Sequence, residues 1–128
     1  MRQMLFIAAG GSLGAIARFG VSSAVHQLTS ESFPWGTLVV NISGSFLIGV
    51  AVELFDGTII PSEWRSFITI GFLGSYTTFS TFALETVNLL RDGELPLATG
   101  NILASNVVSV LFVVLGIYAS RLLLRLFA

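Results

Sequence analysis

Four long apolar stretches follow one another along the chain, and short polar segments separate them. Arg18 is the only arginine, lysine, aspartate or glutamate within these stretches, which cover residues 3–27, 32–52, 66–84 and 95–120. Each stretch approaches or exceeds the roughly 20 residues that an α-helix needs to cross a hydrocarbon layer about 30 Å thick. Strands of a membrane barrel would alternate apolar and polar residues, and these continuous stretches do not.

The pattern therefore predicts an all-α membrane protein with a single domain of four transmembrane helices. A helix hydrogen-bonds its own backbone, so it leaves few polar groups unpaired in the hydrocarbon. The predicted helices cover approximately residues 3–27, 34–54, 64–90 and 96–125. A bundle of 13.7 kDa has little interior of its own, so a site that needs enclosing walls is expected to require a second copy.

Composition and charge exclude several other classes of protein. Of 128 residues, 54% are apolar and only 10% are charged, too few charges to cover a water-soluble surface. The absence of cysteine removes disulfides and cysteine-ligated metals. No basic run suggests a nucleic-acid partner. The lipid bilayer is the surroundings that this composition predicts.

The six arginines give only a weak prediction of orientation. Four of them, Arg2, Arg65, Arg121 and Arg125, fall on the side of both termini. The other side has Arg91, and also Arg18 if that residue lies near the end of its helix. Positive residues favour the cytoplasmic side, but so small a bias leaves insertion in both orientations physically allowed.

Polar residues inside the second and fourth stretches are the strongest sign of a specific site. Asn41 lies in the middle of the second stretch, and Asn101, Ser105 and Ser109 recur every four residues in the fourth. Side chains at this spacing share one helix face, which should contact protein or a water-filled path and not lipid. Two interpretations stay open: hydrogen bonding between helices, or a line of donors that replaces the hydration shell of a solute.

The third stretch predicts a break in its helix near residues 74–78. It contains Gly71 and Gly74, followed by five serine and threonine residues within 75–81. Glycine costs about 1 kcal/mol per helix position relative to alanine, and clustered hydroxyls compete for backbone hydrogen bonds. Broken helices at membrane depth are tolerated where they are buried in protein or line an ion site.

Phe79 and Phe82 follow the predicted break and lie three residues apart, hence on one face of a resumed helix. Ordinary core packing explains such a pair. An aromatic ring also has a positive edge, so two edges turned inward favour an anion without a formal charge. A pore lined by arginine or lysine would hold a small anion too tightly to conduct well.

Three sequence blocks resemble the small fluoride channels, the Fluc or CrcB family of fluoride exporters. They are GGSLGAIARF at 10–19, GTLVVNISGSF at 36–46 and GFLGSYTTFSTF at 71–82, and the similarity spans all four stretches. The resemblance implies a channel, not an enzyme, that lies in a bacterial inner membrane. Cytoplasmic fluoride leaves the cell passively through such a channel, which reduces the toxicity of fluoride. It also implies an antiparallel, dual-topology homodimer with two pores.

The resemblance assigns roles to particular residues of this chain. Phe79 and Phe82 would line the pathway with ring edges, and Asn41 would donate its amide hydrogens to fluoride. Further polar groups of the pathway would be Ser80, Thr81, Ser105 and Ser109. A structural Na⁺ at the dimer centre would be held by backbone carbonyls, a role that falls on Gly74 and Thr77.

Two charged residues are candidates for supporting the pathway. The resemblance places Arg18 in a vestibule, although an interfacial anchor is an equal alternative. Glu85 follows Phe82 by three residues, so it would accept a hydrogen bond from a pore-lining hydroxyl or pair with an arginine. The chain departs from the family pattern at Ser75 and Tyr76, where a second glycine and a leucine are common.

Two other functions are alternatives to a channel. A small four-helix, dual-topology multidrug antiporter needs a carboxylate deep in its first helix, and residues 4–25 contain none. A non-transporting scaffold subunit would need the polar residues only for folding.

Overall fold

The computed structural model describes residues 1–29 and 32–127, except for the side chain of Phe127. All secondary structure in this part of the chain is helical. It contains four helical stretches long and apolar enough to cross a membrane, namely Arg2–Leu28, Trp35–Gly57, Ser62–Arg91 and Leu95–Leu126. The predicted all-helical class with four membrane-spanning stretches is therefore confirmed.

The first two spans are single continuous helices. Helix α1 covers Arg2–Leu28 and α2 covers Trp35–Gly57. Pro34 immediately precedes α2, where its missing N–H removes no helical hydrogen bond. Large apolar side chains such as Leu13, Ile16 and Phe19 are exposed on α1. A surface of this kind suits lipid and not water.

The third span changes conformation several times along its length. Helix α3 covers Ser62–Ser66, a π-helical segment covers Phe67–Leu73, and α4 covers Gly74–Tyr76. Thr77 and Thr78 then have extended backbone, with ψ angles of 157° and 114°. Helix α5 begins at Phe79 and ends at Arg91, and the Thr78 hydroxyl accepts a hydrogen bond from the Thr81 amide at its start. A threonine at this position stabilises a helix start by satisfying an amide that has no helical partner.

The last two helical stretches meet at a tight turn. Gly93 has a φ angle of 77°, which favours glycine, and the Glu94 amide bonds back to the Leu89 carbonyl at 2.9 Å. This is the Schellman arrangement that ends many helices. Helix α6 covers Leu95–Leu103, a π-helical segment covers Ala104–Val108, and α7 covers Ser109–Phe127.

Glycines bring helix backbones into direct contact at two places that shape the bundle. A β-carbon on Gly14 of α1 would collide with the carbonyl of Phe72 in the third span. One on Gly49 of α2 would collide with the carbonyl of Val113 in α7. Close backbone approach of this kind is how membrane helices gain van der Waals contact, because lipid supplies no hydrophobic force between them.

Candidate functional site

Two cavities meet at the extended residues of the third span. The larger has a volume of about 860 Å³ and lies among α1, α2 and α5. The smaller, of about 300 Å³, lies among α2, the third span and the fourth span. Thr78 lines both cavities and its side chain is buried. Thr78 is therefore the point of contact between the two linings.

The small cavity brings together most of the residues assigned to the pathway. Its lining includes Asn41, Phe79, Phe82, Ser105 and Ser109. Gly74 and Thr77, the residues assigned to sodium, line the same cavity. Residues from three of the four spans thus converge, although they are up to 68 positions apart in the chain (41 to 109).

Three assigned residues lie in the large cavity and one lies in neither. Arg18, Thr81 and Glu85 line the large cavity. Ser80 is exposed, lines neither space, and has its hydroxyl 3.4 Å from that of Thr78. Among the described residues, the Thr78 hydroxyl is thus the group that connects the Ser80 side chain to the site.

The Asn41 side chain makes two hydrogen bonds with the extended backbone of Thr78. The Thr78 amide donates to Asn41 Oδ1 at 2.8 Å, and Asn41 Nδ2 donates to the Thr78 carbonyl at 3.1 Å. Since an amide N–H can only donate and a carbonyl can only accept, this pair determines which way the Asn41 side chain faces. One of its two amide hydrogens is engaged in this way, and one is left for another partner.

Phe79 and Phe82 form a tilted ring pair beside the small cavity. Their centroids lie 5.4 Å apart, and the ring planes make an angle of 49°. Phe82 is buried, whereas Phe79 is 74% exposed. The exposed ring of Phe79 is consequently available to lipid or to another protein chain on the outer side of the cavity.

The polar stripe of the fourth span, which consists of Asn101, Ser105 and Ser109, divides into two parts. Asn101 is 1% exposed and donates to Thr86 Oγ1 on α5 at 3.0 Å, while Ser105 donates to Asn101 Oδ1 at 3.3 Å. These two residues therefore serve hydrogen bonding between and along helices. Ser109 differs, because its buried hydroxyl oxygen has no partner in the described part of the chain.

Thr86 completes this network and was not identified from the sequence. Its hydroxyl donates to the Phe82 carbonyl at 2.8 Å and accepts from Asn101. Threonine in a helix often bonds to the carbonyl four residues earlier, and position 86 is four after Phe82. The spacing was therefore visible in the sequence, but the contact with α6 was not.

Glu85 receives a hydrogen bond from a hydroxyl of the large cavity. Thr37 Oγ1 donates to Glu85 Oε1 at 2.7 Å, and Thr37 is buried. The second carboxylate oxygen is buried and has no partner within residues 1–29 and 32–127. The alternative partner, an arginine, is not found among those residues. Arg18 lines the same cavity and forms no ion pair with any described residue.

The carbonyls of Gly74 and Thr77 have lost the donors that a continuous helix would supply. The Thr78 amide donates to Asn41 and not to Gly74, and the Thr81 amide donates to Thr78 Oγ1 and not to Thr77. The Thr77 hydroxyl is itself engaged with the Leu73 carbonyl at 3.0 Å. Unwound carbonyls are the neutral oxygen ligands that suit Na⁺ in membrane proteins.

Among the residues that the structure describes, no group of three or more histidine, aspartate or glutamate side chains is arranged to bind a metal ion.

Together, the fold and the site define a small multi-pass membrane protein with a cavity lined by uncharged polar side chains and phenylalanine rings. Residues 5–117 match the family described as CrcB-like protein, Camphor Resistance (CrcB). The chain belongs to this family, which confirms the resemblance seen in the sequence.

Three relatives illustrate the similarity over nearly the whole chain, and each is named a fluoride-specific ion channel, FluC. The one from Magnetococcus marinus is 43% identical, covering 94% of this chain and 99% of the relative. The one from Geotalea daltonii is 45% identical, covering 94% and 98%. The one from Opitutus terrae is 47% identical, covering 91% and 90%.

Proposed function

We propose that the protein is a fluoride-selective channel of a bacterial inner membrane, through which cytoplasmic fluoride leaves passively. One observation carries the proposal beyond the names of the relatives. The small cavity collects Asn41, Phe82 and Ser109 from three different spans and places uncommitted donors beside aromatic rings. The export of fluoride reduces its toxicity in the cytoplasm.

The chemistry of the small cavity suits an anion that must both enter and leave. Its described lining residues carry no formal charge. Donors of Asn41 and Ser109 replace part of the hydration shell, and the positive ring edges of Phe79 and Phe82 add a weak attraction. Because the described lining contains no arginine or lysine, the ion is not trapped there.

The membrane potential drives the ion outward. Hydrogen fluoride enters from an acidic exterior and dissociates in the more alkaline cytoplasm, where the anion is retained. An interior-negative potential favours the exit of one negative charge by about 2.3 kcal/mol per 100 mV. A passive pathway is therefore sufficient, and no coupled energy source is needed.

The large cavity serves as a vestibule to this pathway. Arg18 and Glu85 line it, and Thr78 lines both this cavity and the small one. Arg18 raises the local concentration of anions, because its charge is not neutralised by an ion pair within the described residues. Glu85 holds Thr37 through the 2.7 Å hydrogen bond and so orients one wall of the vestibule.

Two antiparallel copies form the working channel, and each dimer contains two pores. The exposure of Phe79 and Gly74 beside the small cavity supports this, since one copy leaves that side uncovered. The weak arginine bias is compatible with insertion in both orientations. In such a dimer the third span works as a broken helix whose freed backbone groups face the interface.

A structural Na⁺ at that interface would be held by the carbonyls of Gly74 and Thr77. It would supply a positive charge that neutralises the partial charges of these oxygens. The engaged Thr77 hydroxyl supports a role for the backbone and not for the side chain.

A flux measurement distinguishes the channel from its two alternatives. Purified protein is reconstituted into liposomes loaded with potassium fluoride, and a potassium ionophore is added while a fluoride electrode records release. We expect rapid release of fluoride, whereas a chloride electrode should record no release from matched liposomes loaded with potassium chloride. Exchange of a drug cation for protons would support the antiporter, and the absence of any transport would support a scaffold. Protein-free liposomes are the control.

A further inference from the structure

Several of the polar hydrogens around the small cavity are already used by the protein itself. The hydroxyl of Thr69 donates to the Arg65 carbonyl at 2.9 Å, and that of Thr77 donates to the Leu73 carbonyl at 3.0 Å. Ser105 donates to Asn101 at 3.3 Å. These residues line the cavity but offer an ion only lone pairs, which repel an anion.

A second group of cavity residues retains hydrogens that nothing in the described chain accepts. The hydroxyls of Ser45 and Ser109 make no hydrogen bond with the described residues. Asn41 has one N–H left after its bond to Thr78. Asn106 has one N–H left after Nδ2 donates to the Ile102 carbonyl at 2.7 Å. Ser45 and Asn106 are absent from the set of residues assigned to the pathway by resemblance.

The positions of Ser45 and Asn106 place both of them on the path. Ser45 lies one helical turn after Asn41 on α2, so the two side chains share a face. Asn106 lies in the π-helical segment between Ser105 and Ser109, and all three line the cavity. Its side chain is exposed in the middle of an apolar span. An amide facing hydrocarbon is costly, so this exposure is more favourable if the amide faces a polar solute.

We infer that Ser45 and Asn106 are two further fluoride-binding residues, which complete a set of four uncharged donors with Asn41 and Ser109. The inference rests on the proposed function. Two of the donors come from α2 and two from the fourth span, so they can surround an ion between these elements. A small anion of high charge density gains more from each donor than a larger halide does, because Coulomb attraction grows as the separation shrinks. The set therefore also favours fluoride over chloride.

The test removes each donor and then restores it. Ser45→Ala and Asn106→Leu remove the hydrogens, whereas Ser45→Thr and Asn106→Gln keep a hydroxyl or an amide. Fluoride release from liposomes is measured as above, and size-exclusion chromatography checks the assembly. We expect a reduction of about tenfold for each removal, which corresponds to about 1.4 kcal/mol, and recovery of most of the flux in the conservative variants.

Two control variants remove hydroxyls that are engaged elsewhere. Ser12→Ala and Thr99→Val alter exposed residues whose hydroxyls donate to carbonyls of their own helices, at 3.0 Å and 2.9 Å. Neither residue lines the small cavity. Both variants should release fluoride at the wild-type rate.

The outcomes separate this inference from the proposed function. A wild-type protein that releases no fluoride would refute the proposed function and the inference together. A conducting wild type with equally fast Ser45→Ala and Asn106→Leu variants would refute the inference alone. The inference would also be overturned if Ser45→Thr and Asn106→Gln were as slow as Ser45→Ala and Asn106→Leu. The same holds if a higher sodium concentration restored the flux of the slow variants. Those results would assign the two residues to packing or to the cation site.

Discussion

Replacement of Asn41 by aspartate tests the centre of the proposed pathway most directly. The amide nitrogen of Asn41 lies 3.1 Å from the Thr78 carbonyl, and its second hydrogen is uncommitted. Aspartate removes both hydrogens and adds a negative charge at the same position. The Thr78 amide keeps an acceptor, because it donates to Oδ1 at 2.8 Å and a carboxylate oxygen replaces that atom. The extended segment therefore retains half of its support.

The expected effect on permeation is large. A hydrogen bond to a charged group is worth about 1.5–3 kcal/mol, and this donor is lost. Repulsion between the carboxylate and fluoride adds about 4 kcal/mol at a separation of about 4 Å and an effective dielectric constant of about 20. The repulsion alone corresponds to a decrease in occupancy of nearly a thousandfold. We expect fluoride release at or below the detection limit, with the assembly unchanged in size-exclusion chromatography.

Two comparison variants separate charge from loss of donors. Asn41→Leu removes the hydrogens without adding charge, so it should be slow but measurably faster than Asn41→Asp. Asn88→Asp makes the same chemical change at an exposed residue of the large cavity, where water screens the charge, and should reduce flux only a few-fold. Release from Asn41→Asp at the wild-type rate would remove Asn41 from the pathway.

Four further variants test the other parts of the site and the packing of the bundle. Phe79→Ile and Phe82→Ile keep an apolar side chain but remove the positive ring edge. Each variant should reduce fluoride flux at least tenfold, while chromatography shows the same assembly. Unchanged flux in both variants would disprove the aromatic role. Arg18→Gln should slow fluoride release several-fold at an ionic strength of about 0.01 M. The effect should be much smaller at about 0.15 M, where the Debye length is near 8 Å and the charge is screened. Equal rates for the variant and the wild type at low salt would make Arg18 an anchor only. Gly49→Val forces a side chain against the Val113 carbonyl. It should destabilise the fold by about 1–3 kcal/mol, measured as a lower Tm. An unaltered Tm would contradict the close contact of α2 with α7.

The global architecture was predictable because it depends on quantities that are local in the sequence. Length and hydropathy determine how many helices can cross the hydrocarbon, and the four predicted stretches correspond to the four apolar helices of the structure. The family followed from local motifs for the same reason.

The hydrogen-bond partners of individual polar groups were not predictable, because each partner is distant in the chain. Asn41 binds the backbone of Thr78, 37 residues later, and Thr37 binds Glu85, 48 residues later. The sequence showed the regular stripe of Asn101, Ser105 and Ser109, but it did not distinguish engaged hydroxyls from free ones. Only the packing of α6 against Thr86 made that distinction.

The sequence by itself determined the apolar spans, the largely uncharged character of the polar residues within them, and the chemical types available to a site. The tertiary structure decided which of those groups face one another and which hydrogens stay uncommitted. The physical reason is that hydropathy accumulates along the chain, whereas a hydrogen bond needs two atoms within about 3 Å, a condition that only the folded arrangement of the spans can meet.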